Sequence, residues 1–122
     1  MSKKTVVLGA STNPGRYSFM AAEMLSEYGH EVVPVGLRKG VLAGAEILDI
    51  RSWPPVDDVH TVTLYIGPSH QDGLLDYLTR LKPARVIFNP GTENRALEQA
   101  LEKQGIAVQE ACTLVMLRSG QY

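Results

Sequence analysis

The stretch VLGASTNPGRYS, Val7–Ser18, joins the end of an apolar run to a polar loop bounded by Gly9 and Gly15, with helix-forming residues after it. Only Ala, Ser, Thr, Asn and Pro lie between the two glycines. A loop of this kind, set between a strand and a helix, aims backbone N–H groups at an anion beside the positive end of the helix. Which anion is narrowed by what the loop is not. A dinucleotide fingerprint needs G-x-G-x-x-G, and Gly9 is followed by Ala10 and Ser11. A P-loop needs four residues between its glycines and then Lys-Ser/Thr; here five intervene and Arg16-Tyr17 follows. A nucleophile elbow needs G-x-S-x-G, and position 13 is Asn. A generic anion-binding turn remains.

Outward from this turn, strand and helix signals alternate. Thr5–Gly9, Glu31–Val35, Thr61–Ile66, Arg85–Asn89 and Ala107–Glu110 are short runs that read as strands, most of them rich in β-branched or aromatic residues. Met20, Met24 and Tyr28 share a helix face with Ala21 and Leu25, ahead of a terminating Gly29. A second helix is expected to open at Ser69 as N-cap with Asp72 three residues on, to carry the stripe Leu74, Leu75, Leu78 and Leu81, and to stop at Pro83. A third, from Glu93 to about Gln104, buries Ala96, Leu97, Ala100 and Leu101 before Gly105. Gly36–Val59 has no helical period and reads as a long connection with a small extra strand at Ala45–Leu48. The tail after Cys112 is a helical turn or irregular. The pattern implies an α/β, Rossmann-like three-layer sandwich with a five-stranded parallel sheet of order 3-2-1-4-5, in one domain over residues 1–122.

Composition bounds the function. A chain of 122 residues with net charge −1 has no overall attraction for nucleic acid or anionic membrane, so any anion site is a local cluster of donors. No run approaches the ~20 apolar residues of a membrane span, and no leader precedes the first strand, so a cytoplasmic protein is expected. The single cysteine, Cys112, excludes an intramolecular disulfide.

In an open parallel sheet, ligands lie outside the carboxyl ends of the strands. Five small or polar segments leave that edge: Ala10–Arg16, Gly36–Gly40, Gly67–His70, Pro90–Asn94 and Ala111–Thr113. They suit a long, thin ligand. A dinucleotide site would place an acid after the second strand, whereas this chain has Gly36-Leu37-Arg38-Lys39. Arg38 and Lys39 suit a phosphate on a ribose, either the 2′-phosphate of NADP or the 3′-phosphate of coenzyme A.

The ordered set GASTNPGRYS, EVVPV, YIGPSH, NPGTEN and a late Cys resembles the small stand-alone CoA-binding domain proteins. These are similar to the N-terminal CoA-binding domain of the succinyl-CoA synthetase alpha subunit. The resemblance runs from Lys4 to about Leu117. It implies coenzyme A as ligand, with Gly9, Ser11, Thr12, Asn13, Arg16, Tyr17 and Ser18 around the pyrophosphate. It matches Lys39 and Gly40 to the Lys-Gly pair after strand two of the synthetase, beside the further ribose-side candidates Gly36 and Arg38. It matches Ile66, Gly67 and Pro68 to the loop on the adenine and ribose side, and Pro90, Gly91 and Asn94 to the loop nearest the pantetheine arm. Gly36-Leu37, where small relatives often carry Asn-Pro, and the apolar run Thr113–Leu117 depart from that pattern.

Catalysis has little support in the residues. His30, His60 and His70 lack metal-ligand spacing, and the adjacent Asp57 and Asp58 cannot face each other as an acid–base pair. His30 is expected to be solvated. Cys112 falls just past the last strand on the ligand edge, either packed as a small hydrophobe or facing the coenzyme A thiol. The leading expectation is a binder of coenzyme A or acyl-CoA without chemistry of its own. The alternatives are an NADP or nucleotide-sensing regulatory domain and a redox or acyl-transfer enzyme using Cys112. A homodimer or another protein partner through the leucines of the tail is compatible with the sequence.

Overall fold

The computed structural model describes residues 2–122. Eight strands, β1 (Thr5–Leu8), β2 (Val32–Gly36), β3 (Val41–Leu42), β4 (Ala45–Glu46), β5 (Leu48–Asp49), β6 (Thr61–Leu64), β7 (Arg85–Phe88) and β8 (Ala107–Glu110), are joined by four α-helices: α1 (Tyr17–Glu27), α2 (Leu74–Leu81), α3 (Arg95–Lys103) and α4 (Thr113–Arg118). Six strands form one sheet of order β5-β2-β1-β6-β7-β8, and β3 with β4 makes a separate hairpin. Every pairing in the large sheet is parallel.

The sheet thus corrects the expected five strands and their order. Thr61–Leu64, expected beyond β2, lies on the other side of β1. The place beside β2 is taken by β5, paired only at Val35↔Leu48 and Gly36↔Asp49. Two residues are too few to show an alternating pattern, so this strand has no signature in the sequence. The expected small strand at Ala45–Leu48 is divided: Ala45–Glu46 turns back on Val41–Leu42, and Leu48–Asp49 joins the sheet. Between the hairpin arms, Ala43 and Gly44 both take positive φ, which matches the right-handed twist of a tight hairpin.

Alternation along β1 divides the core between the two faces of the sheet. Val6 and Leu8 pack with Val62, Leu64, Val86 and Phe88 beneath α2 and α3, whereas Val7 packs with Ile87 beneath α1 and α4. On α2, Leu74, Tyr77, Leu78 and Leu81 face the sheet. Each such burial contributes about 1.5–3 kcal/mol.

Helix faces and caps differ in part from the sequence reading. α1 buries Ser18, Ala21, Ala22 and Leu25; of the Met20–Met24–Tyr28 stripe, Met24 packs half-buried against the same core while Tyr28 is exposed, so the contact face is rotated from that stripe. Small residues let this helix approach the sheet closely. Ser69 is no N-cap: Pro68–His70 form a 3₁₀ turn, and α2 starts after Gly73, whose φ is +82°. A β-carbon at Gly73 would meet the Trp53 ring at 3.0 Å, so the indole occupies the place of a capping side chain. α3 starts two residues later than expected, with Asn94 as its cap; Leu97 and Leu101 are buried, Ala96 is exposed and Ala100 half-buried. α1 and α3 end alike. His30 N–H donates to Leu25 O and Ile106 N–H to Leu101 O, across Gly29 and Gly105 at φ of +85° and +82°. The tail is helical, and Leu114 and Leu117 are buried against the domain, so they offer no surface for self-association.

At the amino edge of the sheet, His30 is not simply solvated. Lys3 N–H donates to its Nδ1 at 2.9 Å, and its ring centroid lies 4.9 Å from that of Tyr122. The Arg85 guanidinium covers the Tyr122 ring at 4.3 Å, and its Nε donates to Thr61 Oγ1, which also meets His60 Nδ1. Burial first, then the charges of Lys3 and Arg85, hold both imidazoles below the ordinary histidine value of 6.5. The unfolded chain therefore binds protons first as pH falls through 6.5, and stability decreases toward acid. The melting temperature is expected to drop between pH 8 and about pH 5, and less steeply in His30→Gln. Identical slopes in the two proteins would remove His30 from this linkage.

Candidate functional site

All the parallel strands end at one edge, and the loops leaving it are in direct contact from strand to strand. Gly9, at φ +99°, turns the first loop so that a β-carbon there would stand 3.1 Å from Ile66 Cγ1 and from the Tyr65 carbonyl carbon. A β-carbon on Gly36 would stand 2.4 Å from Ala10 O. Only glycine permits that approach between the first and second loops. A β-carbon on Gly40 would stand 2.5 Å from Thr12 Cγ2.

Inside the first loop, Gly15 N–H donates to Asn13 Oδ1, Asn13 N–H to Ser11 Oγ and Arg16 N–H to Asn13 O. Asn13 thus shapes the loop rather than offering its backbone amide. The open donors lie one step further on. The first-turn amides of α1 have no acceptor within the helix, Arg16 caps it with no side-chain bond, and its first turn holds no acid. Thr12, Arg16 and Tyr17 are exposed around this positive end, with Ser11 half-buried and Ser18 buried in the first turn.

On the second loop Leu37, Arg38 and Lys39 are exposed. Arg38 and Lys39 line a shallow hollow of about 40 Å³ with Gly36, Ile47, Asp49 and Arg51. Asp49 and Arg51 were not legible as site residues, since they sit on and just after the two-residue strand β5. Arg51 grips Asp49 with two side-chain bonds of 3.0 Å and donates its backbone N–H to the same carboxylate. Those bonds chiefly, and the Lys39 charge last, hold the Asp49 carboxyl below its ordinary range.

The third and fourth loops are joined by a residue the sequence reading missed. Gln71 is only 6% exposed; its Nε2 donates to Ile66 O and Thr92 O, and its Oε1 accepts from Asn94 Nδ2, each at 2.8 Å. Asn94 also caps α3 through Oδ1. Both ends of its amide are therefore committed, and Asn94 positions the loop instead of reaching into it. Ile66 and Gly67 are half-buried; Pro68, Pro90 and Gly91 are exposed, with Gly91 N–H donating to Glu93.

Asn89 makes the last link. Its Nδ2 donates to Thr63 Oγ1 and Leu64 O, and its Oδ1 accepts from Thr113 N–H. Cys112, half-buried, caps α4 directly above this polar network. Beside it burial pushes the Tyr65 phenol up to about 12, so Tyr65 stays protonated at neutral pH and is no base for the thiol.

The ends of β2, β1, β6, β7 and β8 span roughly 19 Å at ~4.8 Å per strand. Along that length lie cations, an open helix start, glycine-lined loops and, last, a thiol. A larger hollow of about 240 Å³ lies outside this row, between α3 and β8. Glu98, Glu102 and Glu110 line it, and burial raises Glu98 above the ordinary carboxylate range. Its charge is wrong for a phosphate. Among the described residues no group of His, Cys, Asp and Glu is arranged to hold a metal ion, and no helix is long and apolar enough to cross a membrane.

The same architecture recurs in solved structures. A crystal structure of an uncharacterized protein superposes with a TM-score of 0.95 at 48% identity, covering 100% of this chain and 99% of its own. A Thermus thermophilus protein described as cell-free ID.343 gives 0.82 at 26%, covering 99% and 91%. A hypothetical protein from Pyrococcus horikoshii OT3, at 22% identity and TM-score 0.79 over 96% and 83%, shares the fold. Among curated proteins none matches. Residues 3–118 match a family model described as a CoA binding domain.

Proposed function

The chain belongs to the CoA binding domain family, and on that premise we propose that it binds coenzyme A or an acyl-CoA along the carboxyl edge of its sheet, as a stand-alone binding or regulatory module without catalysis of its own. The observation that carries this reading is the continuous row of touching loops with an uncapped, acid-free helix start near one end. In this pose the pyrophosphate takes the first-turn amides of α1 with Arg16, Ser11 and Thr12. The ribose and its phosphate lie by Arg38 and Lys39, the adenine by Ile66 and Gly67, and the pantetheine arm runs past Pro90 and Gly91 toward Cys112. Charge-assisted bonds of about 1.5–3 kcal/mol each fit a ligand with three phosphates. The absence of G-x-G in the first loop argues against NADP as the primary ligand.

Native mass spectrometry of purified protein with added coenzyme A tests this reading. A complex of one ligand per chain is expected, and a spectrum of free protein alone at saturating ligand would overturn it. Cys112 offers a second test. Its thiolate attacks one sulfur of oxidised coenzyme A, the S–S bond breaks, a mixed disulfide forms and one coenzyme A leaves as thiolate. The adduct is expected in wild type and absent in Cys112→Ser, with reduced coenzyme A binding unchanged. Failure to form it would leave Cys112 as packing only.

A further inference from the structure

Three cations and one carboxylate share the hollow at the ends of β2 and β5. Its volume, about 40 Å³, takes one or two water-sized groups, such as phosphate oxygens or a ribose hydroxyl, and no purine ring. Asp49 stands directly across from Gly36 in the strand register, one strand outward from the place where dinucleotide folds keep their ribose acid. A carboxylate accepts about four hydrogen bonds, and Asp49 receives three, all from Arg51. One position remains for a hydroxyl. The Arg51 side chain is 71% exposed, so its pair with Asp49 contributes little to stability and leaves the outer guanidinium edge for a ligand.

We propose that this hollow reads the substitution pattern of the ribose: Arg38, Lys39 and Arg51 hold a 3′-phosphate, while Asp49 accepts the adjacent 2′-hydroxyl and rejects a phosphate at that position. The site therefore selects 3′-phosphoadenosine ligands over both 2′-phosphorylated and unphosphorylated ones. The assignment rests on the coenzyme A reading and adds to it the residues that set specificity.

The test is a calorimetric titration of coenzyme A, dephospho-coenzyme A and NADP against wild type, Arg51→Ala, Asp49→Asn and the double variant. In wild type, coenzyme A is expected to bind about tenfold tighter than dephospho-coenzyme A. Arg51→Ala should close most of that gap while leaving dephospho-coenzyme A within about twofold. Asp49→Asn should raise NADP affinity by roughly fivefold or more. Comparing the double variant with Arg51→Ala separates loss of the carboxylate from loosening of Arg51, and the NADP gain should persist. Both side chains are well exposed, so the variants fold, and matching melting curves verify this. An unchanged phosphate gap in Arg51→Ala, or NADP binding as weak in Asp49→Asn as in wild type, would overturn the assignment with the coenzyme A reading intact. Wild type that binds neither coenzyme A nor its dephospho form overturns that reading, and this assignment with it.

Discussion

Gly36→Val is expected to lose coenzyme A binding by about a hundredfold or more, equivalent to roughly 2.7 kcal/mol. The new β-carbon would lie 2.4 Å from Ala10 O, a backbone atom with no rotamer to escape into. Either the first loop lifts from β2 or the strand end bends, and in both cases two or more charge-assisted bonds to the pyrophosphate are lost. Overpacking of this kind costs about 1–3 kcal/mol of stability, so the melting temperature should fall by roughly 5–15 °C. Gly36→Ala should show the same direction with a smaller effect. Titration and thermal melts of both variants check this. Wild-type affinity in Gly36→Val would mean that the contact between the two loops does not shape the site.

Tyr17→Glu should move stability and binding in opposite directions. Tyr17 is the first residue of α1 and is 67% exposed, so the substitution displaces no core contact. A carboxylate in a first turn that holds no acid should stabilise the helix by about 0.3–1 kcal/mol. The same carboxylate occupies the place of the pyrophosphate, and two unit charges ~4 Å apart repel by about 4 kcal/mol at an effective dielectric of 20. Coenzyme A and dephospho-coenzyme A should lose affinity equally, by about a hundredfold or more, which distinguishes this variant from Arg51→Ala. Unchanged binding with raised stability would place the pyrophosphate elsewhere.

Much of this edge was legible because its constraints are local. The Gly9–Gly15 loop, Gly29 and Gly105 after their helices, and the runs at β1, β6 and β7 each carry their signal within a few residues of sequence. What escaped depends on partners far along the chain. Gln71 is polar at the start of a helix segment, and only its bonds to Ile66, Thr92 and Asn94 give it a role. Asp49 and Arg51 gain meaning from β5, which is too short to announce itself. Strand order failed for the same reason: nothing local shows that the end of the small strand expected at Ala45–Leu48 takes the place beside β2, which leaves Thr61–Leu64 to lie across β1. The Ser69 cap was a sound local pattern overridden by packing, since Trp53 against Gly73 sets where α2 begins. Gly15, which closes the first loop, would place a β-carbon 3.3 Å from Asn13 Oδ1, a flexible side-chain atom, and is a less demanding position than Gly36 against the backbone of Ala10.

The most direct measurement is a titration of ¹⁵N-labelled protein with coenzyme A, followed residue by residue through amide chemical shifts. Shifts are expected at Ser11, Thr12, Tyr17, Ser18 and Phe19, at Leu37–Lys39, and at Gly67, Gly91 and Cys112. None is expected at the amino edge around His30, His60 and Tyr122. A spectrum unchanged at saturating coenzyme A, or shifts confined to the acidic hollow of Glu98, Glu102 and Glu110, would contradict a ligand lying along the carboxyl edge.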